Sequence, residues 1–285
     1  RRLLHSLTRL TNQLLRGETP ECAREALFGA SLCAIRKRDG GLRPIAVGSI
    51  YRRIACRIAA RHVAATVGEE LRPVQLGVGT PLGCEAAVHA TRQFLASVSA
   101  ASEPHLLVKV DVRNAFNTVR RDVFLTQVKA RAPAVYPLLY NLYSEPTPLC
   151  IGGQTISSCS GVQQGDPIGP AAFSLALDPV IRSLQSPLNV WYLDDGTIGG
   201  PAEVVAADLA ALAEALPTIG LELNTGKCEV LFTGAATPAP LPASLQAILP
   251  GLQETQPSDL SLLGSPLTEE ALPSATDRAA STIDR

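Results

Sequence analysis

The sequence predicts an α+β fold in which an antiparallel sheet is backed by helices. Short β-prone runs bounded by turn residues alternate with helical patterns, in the order strand, helix, hairpin, helix, strand and hairpin, helix, strand pair. The chain has 285 residues, of which 46% are hydrophobic. This is enough to bury a substantial core as one large domain or two smaller ones.

The N-terminal part is expected to form two helices and a hairpin. Leucines at helical spacing predict a helix over residues 3–16, and residues 31–47 read as a hairpin whose glycine-rich tip carries several cations. Residues 50–67 are predicted to be helical. The apolar face of that helix is expected to carry Ile50, Ile54, Ile58 and Val63. A second, cationic face is expected to carry Arg52, Arg53, Arg57 and Arg61.

The middle of the chain is expected to supply the central strands. Residues 106–112 alternate as a strand that places Leu107, Lys109 and Asp111 on one face. Residues 190–196 read as a strand, a tight turn containing two adjacent aspartates, and the start of a return strand. Further along, residues 221–223 and 229–232 are predicted to pair around the turn at residues 224–227, and a Pro- and Ala-rich connector follows at residues 237–257.

The charge is segregated along the chain although the net charge is only −1. Residues 1–72 carry 14 Lys and Arg against 6 Asp and Glu, whereas residues 73–285 carry 11 against 20. Solvated helix faces explain part of the basic excess but not the segregation. A basic block followed by an acidic one suits a protein that grips polyphosphate or nucleic acid and gathers carboxylates around cations.

The composition also bears on the protein's environment. Seven cysteines are scattered without zinc-ligand spacing, so we expect reduced thiols of an intracellular protein. No apolar run reaches the length of a membrane span, and no basic-then-apolar leader is present. The chain opens on Arg1 without a methionine, so we expect it to be a fragment of a longer polypeptide with further domains.

Three carboxylates are candidates for metal binding. Asp194 and Asp195 are adjacent in a turn, and Asp111 ends a strand that is expected to lie beside that hairpin. Adjacent like charges repel, so they are tolerated in open water or around a shared cation. Asp-Asp-Gly is also ordinary turn chemistry, and Asp111 could be a solvated edge carboxylate. Together the three could hold two Mg²⁺ ions at the roughly 3.5–4 Å separation used for nucleotidyl transfer.

Four motifs resemble the palm motifs of reverse transcriptases, and most closely those of the non-LTR, LINE-like retroelements. They occur in the order of that family, at residues 111–117 (DVRNAFN), 161–170 (GVQQGDPIGP), 192–195 (YLDD) and 220–229 (GLELNTGKCE). The resemblance extends from about residue 32 to residue 264. It departs from the family at Leu193, where a small residue or Met is commoner, and at Gly169, which replaces a serine.

The resemblance implies a right-hand polymerase fold with fingers and an antiparallel palm sheet backed by helices, and with the thumb largely missing. The implied fingers are residues 1–104 and 120–158. The implied palm is residues 105–119 and 159–264, with a weak primer-grip motif at residues 262–264. Residues 265–285 would begin the thumb or form a connecting segment.

The resemblance also assigns the catalytic centre. Asp111, Asp194 and Asp195 match the metal-binding aspartates, and the carbonyl of Val112 matches a further ligand. Two Mg²⁺ ions are implied, with Mn²⁺ as a possible substitute. Lys227 matches a lysine that donates a proton to pyrophosphate, although a solvated turn lysine is an equal alternative.

The remaining matched residues would bind the nucleotide and primer. Phe116 occupies the position of an aromatic ring that would collide with a ribose 2′-hydroxyl, which predicts selection of dNTPs by exclusion; the alternative is an ordinary core phenylalanine. The other assignments are Gln164 and Gly165 in the nucleotide pocket, Arg43 with Lys37 or Arg38 at the triphosphate, and Tyr192 near the primer terminus. Gln164 and Gly165 could instead belong to a flexible loop before a helix, and Lys37 and Arg38 to a solvated turn. Tyr192 could be a half-buried aromatic residue of the hairpin.

The predicted function is RNA-directed DNA polymerase, with an RNA template, a DNA primer and dNTPs as partners and no membrane partner. The predicted location is intracellular, and nuclear if the element is eukaryotic. The alternative is a non-catalytic nucleic-acid-binding scaffold derived from a reverse transcriptase. An RNA-directed RNA polymerase is disfavoured by Phe116.

Overall fold

The computed structural model describes residues 1–36, 40–234 and 243–283. Helices and strands alternate along the chain as the sequence predicts. The helices are α1 (Arg2–Leu15), α2 (Arg24–Phe28), α3 (Ile50–Leu71), α4 (Gly83–Val98), α5 (Ala115–Thr118), α6 (Arg121–Arg131), α7 (Tyr136–Tyr143), α8 (Gly169–Arg182), α9 (Ala202–Ala215), α10 (Ala243–Ile248) and α11 (Leu272–Ile283). The strands are β1 (Ala30–Arg36), β2 (Leu42–Gly48), β3 (His105–Val110), β4 (Thr147–Ile151), β5 (Gln154–Ser158), β6 (Leu188–Tyr192), β7 (Asp195–Pro201), β8 (Glu229–Thr233), β9 (Gln253–Glu254), β10 (Ser261–Leu262) and β11 (Ser265–Pro266).

The chain divides into two compact units. The first comprises residues 1–71, 114–177 and 219–221, and the second comprises residues 72–113, 178–218 and 222–285. The predicted α+β class is confirmed. The division into fingers and palm stays a prediction, because packing units need not coincide with functional subdomains.

A four-stranded sheet in the order β2-β1-β4-β5 forms the first unit's scaffold. The predicted hairpin at residues 31–47 is present, since β1 pairs antiparallel with β2, and a second hairpin forms where β4 pairs antiparallel with β5. Strands β1 and β4 pair in parallel and so join the two hairpins. The β1–β2 tip carries the candidate triphosphate ligands Lys37 and Arg38, which lie outside the described residues.

The buried face of α3 differs from the predicted one. Ile50, Ile54 and Ile58 are 65%, 39% and 46% exposed, whereas Arg52 is 2% exposed. The buried side chains of this helix are instead mainly small, and they include Ala55, Cys56, Ala59 and Val63. Of the four residues predicted on the apolar face, only Val63 is buried.

Arg52 is buried because its guanidinium has acidic and neutral partners. It donates to the carbonyl of Phe28 at 2.6 Å, to the Tyr143 hydroxyl at 3.1 Å and to Oδ2 of Asp166 at 2.6 Å. A buried charge is tolerated when it is paired and hydrogen-bonded. The amphipathic pattern could not show this, because the partner lies far along the chain.

A five-stranded sheet in the order β6-β7-β3-β8-β9 forms the second unit's scaffold. The central strand β3 pairs antiparallel with both β7 and β8, and the short β9 pairs parallel with β8. One face of the sheet packs against an apolar cluster that includes Phe94 and Val98 of α4, Leu107 of β3 and Leu231 of β8. The predicted antiparallel sheet is therefore present, with β3 at its centre.

The predicted pairing of residues 221–223 with residues 229–232 is wrong. Leu223 forms an isolated antiparallel bridge with Val112. Strand β8 pairs along β3, from Lys109 opposite Glu229 to His105 opposite Thr233. The two segments therefore pair one after the other along the same strand, Leu223 with Val112 just beyond β3 and β8 with β3 itself, and residues 224–227 connect them.

Two further expectations concern thiols and membrane spans. All seven cysteines lie within the described residues and are free thiols. Every helix in residues 1–36, 40–234 and 243–283 is too short or too polar to span a bilayer.

Candidate active site

The Asp-Asp turn forms as predicted, between β6 and β7. Tyr192 pairs with Asp195, so Leu193 and Asp194 occupy the two turn positions. Leu193 has a φ of +59°, in the left-handed region that residues with a Cβ atom rarely adopt. Asp195 begins β7 and is exposed, whereas Asp194 is half-buried.

Strand pairing brings Asp111 next to Asp195. Val110 at the end of β3 lies opposite Gly196 of β7, so the next residue on β3 comes opposite the preceding residue on β7. Asp111 and Asp195 both line a cavity of about 250 Å³. The lining residues are Lys109, Val110, Asp111, Asp195, Gly196, Lys227, Glu229 and residues 261–264. The predicted meeting of Asp111 with the acidic turn therefore occurs at Asp195.

Asp111 is held in place by Asn224. The Asn224 backbone N–H donates to the Asp111 carbonyl at 2.8 Å, and Nδ2 donates to Oδ2 of the Asp111 carboxylate at 2.7 Å. Asp111 is half-buried and lines the cavity. Because one oxygen is engaged by an amide, the side chain is restricted to a defined orientation. No sequence pattern singles out Asn224 for this role.

Val112, the predicted backbone ligand, is buried and bridges Leu223. The hydrogen bonds of this bridge run through its neighbours, from Asn224 N–H to the Asp111 carbonyl and from Arg113 N–H to the Glu222 carbonyl. In antiparallel pairing, a residue flanked in this way directs its own carbonyl to the opposite side of the strand. For Val112 that side is the β7 side.

Two lysine residues also line this cavity. Lys227 is exposed at its edge, and Lys109 pairs with Oε2 of Glu229 at 2.9 Å. Thr255 also donates to that Glu229 oxygen, at 3.2 Å. The alternation of residues 106–112 already predicted that Lys109 shares a face with Asp111, but no motif assigned a role to Lys109.

The residue set fits Mg²⁺. This ion is usually bound by one or two carboxylates, with water and substrate phosphates completing its octahedral shell. Asp111 and Asp195 supply two such carboxylates on one cavity. Across the described part of the chain, no group of three His, Cys, Asp or Glu side chains is arranged to hold a metal ion. The assignment of Asp194 as a third ligand stays a prediction.

Tyr192 precedes the turn and is half-buried. A hydrogen bond with Cys84, together with burial, raises the pKa of the Tyr192 phenol above its ordinary value. The phenol is therefore neutral at physiological pH. Its assignment to the primer terminus stays a prediction.

Comparison with known proteins identifies the family. Residues 35–267 match the family described as reverse transcriptase (RNA-dependent DNA polymerase). The chain belongs to the reverse transcriptase family.

Two curated relatives place this reverse transcriptase among those of non-LTR retroelements, as the motifs indicated. The retrotransposable element SLACS 132 kDa protein of Trypanosoma brucei gambiense is 31% identical over 221 residues, which cover 72% of this chain and 18% of that protein. A retrovirus-related Pol polyprotein from the type-1 retrotransposable element R2 of Popillia japonica is 30% identical over 217 residues, covering 70% of this chain and 29% of that protein. The chain thus spans less than a third of either relative.

A solved structure supports the polymerase fold. Apo telomerase from Candida tropicalis, truncated from its C-terminal domain, superposes with a TM-score of 0.54 at 13% identity, covering 75% of this chain and 51% of that one. At this identity the similarity concerns the fold alone. It agrees with the predicted polymerase architecture.

The nucleotide-pocket candidates of the reverse transcriptase lie in the first unit. Gln164 and Gly165 form a loop against β2, where the Ala46 N–H donates to the Gln164 carbonyl at 2.8 Å. Gly165 has a φ of +117°, and a Cβ atom there would lie 2.9 Å from the Ala46 carbonyl oxygen. Arg43 is exposed on the same strand. The loop thus contacts β2 at Ala46, and Arg43 lies on the same strand.

A buried ion pair fixes this loop. Arg52 and Tyr143 both donate to Oδ2 of Asp166, and Oδ1 accepts the Ile168 N–H at 3.2 Å. Burial alone would raise the pKa of Asp166, but the charge of Arg52 and the donated hydrogen bonds outweigh it and hold the pKa below its usual value. Asp166 follows Gly165 directly, so the pair anchors the nucleotide loop. No sequence pattern predicts this role for Asp166.

Phe116 is half-buried and stacks on Phe173, with ring centroids 4.6 Å apart and an interplanar angle of 19°. Phe173 itself is fully buried. Stacking on a buried ring limits the movement of Phe116, as a steric gate requires. The gate assignment stays a prediction.

Proposed function

We propose that this domain is an RNA-directed DNA polymerase that transfers dNMP from a dNTP to a primer 3′-hydroxyl along an RNA template. The reaction class follows from the family to which the chain belongs. The observation that carries the proposal is the pairing of Asp111 and Asp195 at the ends of neighbouring strands, facing one cavity. Phosphoryl-type transfer needs mainly positioning and charge stabilisation, and this arrangement can supply both.

The residues of the cavity have distinct tasks in this proposal. Asp111, Asp195 and the neighbouring Asp194 would hold two divalent cations, with the carbonyl of Val112 as a further ligand. Bound Mg²⁺ would lower the pKa of the primer hydroxyl and neutralise charge on the triphosphate and the leaving pyrophosphate. Lys227 at the cavity edge donates a proton from Nζ to the pyrophosphate.

The first unit supplies nucleotide recognition in this proposal. Arg43 binds the triphosphate, because a guanidinium matches phosphate oxygens bidentately. Gln164 makes a polar contact near the sugar, and Gly165 permits close backbone approach. Phe116 excludes the ribose 2′-hydroxyl and so favours dNTPs over rNTPs.

The partners in this proposal are RNA template, DNA primer and dNTPs, together with further domains of a longer protein. The relatives support this, because both are much longer than the chain and both are named as retrotransposable-element proteins. An intracellular location, nuclear in a eukaryotic host, also belongs to the proposal.

The test is dTTP incorporation on poly(rA)/oligo(dT) with Mg²⁺, by this chain and by the same chain within its full-length protein. Wild type is compared with Asp195→Asn, which keeps the side-chain shape but removes the cavity charge. Asp277→Asn is the matched control, since Asp277 is exposed on α11. We expect Asp195→Asn to lose at least about 100-fold in kcat, because several kcal/mol of charge stabilisation disappear.

Two outcomes would contradict the proposal. The first is incorporation by Asp195→Asn at the wild-type rate. The second is equally low incorporation by wild type and variant in both contexts while template-primer still binds, which would favour the non-catalytic scaffold. Replacing the template by poly(dA) then measures the preference for RNA.

A further inference from the structure

The turn that carries the catalytic aspartates adopts an unfavourable backbone conformation. Leu193, the residue directly before Asp194, has a positive φ although it has a Cβ atom. Such a conformation persists only when its surroundings hold it. Other groups in the second unit must therefore hold Leu193 in this conformation.

The side chain of Gln75 holds both backbone groups of Leu193. Its Nε2 donates to the Leu193 carbonyl at 2.9 Å, and its Oε1 accepts the Leu193 N–H at 2.7 Å. The same Oε1 accepts the Gly77 N–H at 2.9 Å. Gln75 is 0% exposed, so this polar side chain is buried entirely to make these contacts.

The segment that carries Gln75 is itself attached to β6. Trp191 N–H donates to the Val74 carbonyl at 2.7 Å, and Leu76 N–H donates to the Trp191 carbonyl at 2.7 Å. Gln75 and Trp191 thus form a parallel bridge. The amide group reaches the turn from a fixed backbone rather than from a free loop.

Gly77 confirms how closely this segment approaches the turn. A Cβ atom on Gly77 would lie 2.7 Å from both the backbone nitrogen and Cδ2 of Leu193. A methyl group at position 77 would therefore clash with Leu193 without any change to the Gln75 side chain itself. This gives a second, independent means of displacing the turn.

We propose that Gln75 is a positioning residue for the acidic site, fixing the Leu193 turn so that Asp194 and Asp195 present their carboxylates to a divalent cation. The proposal rests on the proposed function, because it assigns the cation site to the same residues. Without the amide, the Leu193 N–H and carbonyl lose their partners and the turn relaxes. Cation binding then weakens although every ligand is still present.

The test compares wild type with Gln75→Met, which keeps an unbranched side chain of similar length but removes the amide. Mn²⁺ binding is measured by electron paramagnetic resonance, with thermal unfolding and primer extension in parallel. We expect the Mn²⁺ dissociation constant to rise about 10-fold, the range typical for groups that orient metal ligands. The KM for dTTP at saturating metal is expected to change less than twofold.

Asn189→Leu is the matched control. Asn189 lies on the same hairpin, donates from Nδ2 to the Ile181 carbonyl at 2.7 Å and accepts from Trp191 Nε1 at 2.9 Å. It therefore loses two amide hydrogen bonds without touching the turn. Its Tm should fall as for Gln75→Met while its Mn²⁺ affinity stays within twofold of wild type. An equal weakening of Mn²⁺ binding in both variants would reduce Gln75 to a stability role and overturn the proposal.

Gly77→Ala keeps the proposal testable if Gln75→Met does not fold. The displaced turn should raise the Mn²⁺ dissociation constant by a similar factor, and unchanged binding would overturn the proposal. Failure of the proposed function has a different signature: wild type then incorporates no dTTP, while the comparison of Mn²⁺ affinities still decides the role of Gln75. Absence of Mn²⁺ binding in wild type overturns both.

Discussion

Asn224 holds Asp111 at two points, through its backbone N–H to the Asp111 carbonyl and through Nδ2 to the Asp111 carboxylate at 2.7 Å. A side-chain amide thus engages the strand carboxylate, and the Gln75 amide engages the turn that carries the other two aspartates. The bond to the Asp111 carboxylate is charge-assisted and restricts its rotation, whereas the two neutral Gln75 bonds hold the backbone of Leu193. Both sides of the candidate site are therefore held by side chains of the protein itself.

Substituting Asn224 by Leu should raise the Mg²⁺ concentration needed for half-maximal primer extension by about 10-fold. The Asp111 carboxylate would lose its donor and sample more orientations. The measurement is a Mg²⁺ titration of extension rate with dTTP saturating. A titration midpoint equal to that of wild type would show that Asp111 is oriented by other contacts.

Breaking the buried ion pair by Asp166→Asn should lower the free energy of unfolding by about 3–5 kcal/mol, because Arg52 would remain charged and buried. Urea unfolding measures this loss. Asp122→Asn is the control, since Asp122 pairs with Arg120 at the surface. That exposed pair should contribute far less. Equal losses in the two variants would contradict the assigned role of burial.

The stability from Asp166 should depend on pH in a defined direction. Its folded-state pKa lies below the usual value, so its contribution is complete above the unfolded pKa of about 4 and is lost as the pH falls through the folded pKa. The difference in unfolding free energy between wild type and Asp166→Asn should therefore be constant from pH 7 to 5 and shrink toward pH 2. A difference that grew on acidification would have the wrong sign.

Much of the second unit was predictable from local patterns. The alternation of residues 106–112 gives β3, and the β-prone run ending in Asp-Asp-Gly gives the hairpin that pairs with it. The non-local choices were not predictable. The turn residues 224–227 are equally compatible with a local hairpin. That β8 pairs with β3 instead depends on a contact between segments that are distant along the chain.

The supporting polar groups were also hidden from the sequence. Arg52 lies where a periodic pattern places solvated cations, and its burial depends on Asp166, which is distant along the chain. Gln75 and Asn224 act through single amide groups that carry no periodicity. The motif order identified the carboxylates, whereas the groups that hold them emerged only from the contacts.

Replacing Phe116 by Ala should raise the use of rNTPs relative to dNTPs by roughly tenfold or more, because the ring would no longer exclude the 2′-hydroxyl. The measurement is the ratio of kcat/KM for UTP and dTTP on one template-primer. Using a ratio cancels any general loss from removing the stack on Phe173. An unchanged ratio would leave Phe116 as a packing residue only.

Gly165→Ala should raise the KM for dTTP several-fold, because the methyl group would meet the Ala46 carbonyl and displace the Gln164 loop. Gly153→Ala is the matched control. Gly153 also has a positive φ, but a Cβ atom there would meet nothing within 4 Å. If both variants showed an equally raised KM for dTTP, backbone strain rather than the close approach to β2 would explain the increase.

The most direct test of the central claim is Mn²⁺ binding, measured by electron paramagnetic resonance, to wild type and to Asp111→Asn, Asp195→Asn and the double variant. If the two carboxylates hold a cation in one cavity, each single substitution should weaken binding by at least about 10-fold. The double variant should lose less than the product of the two single effects, since residues that share one ligand are coupled. Wild-type Mn²⁺ affinity in either single variant would contradict the account.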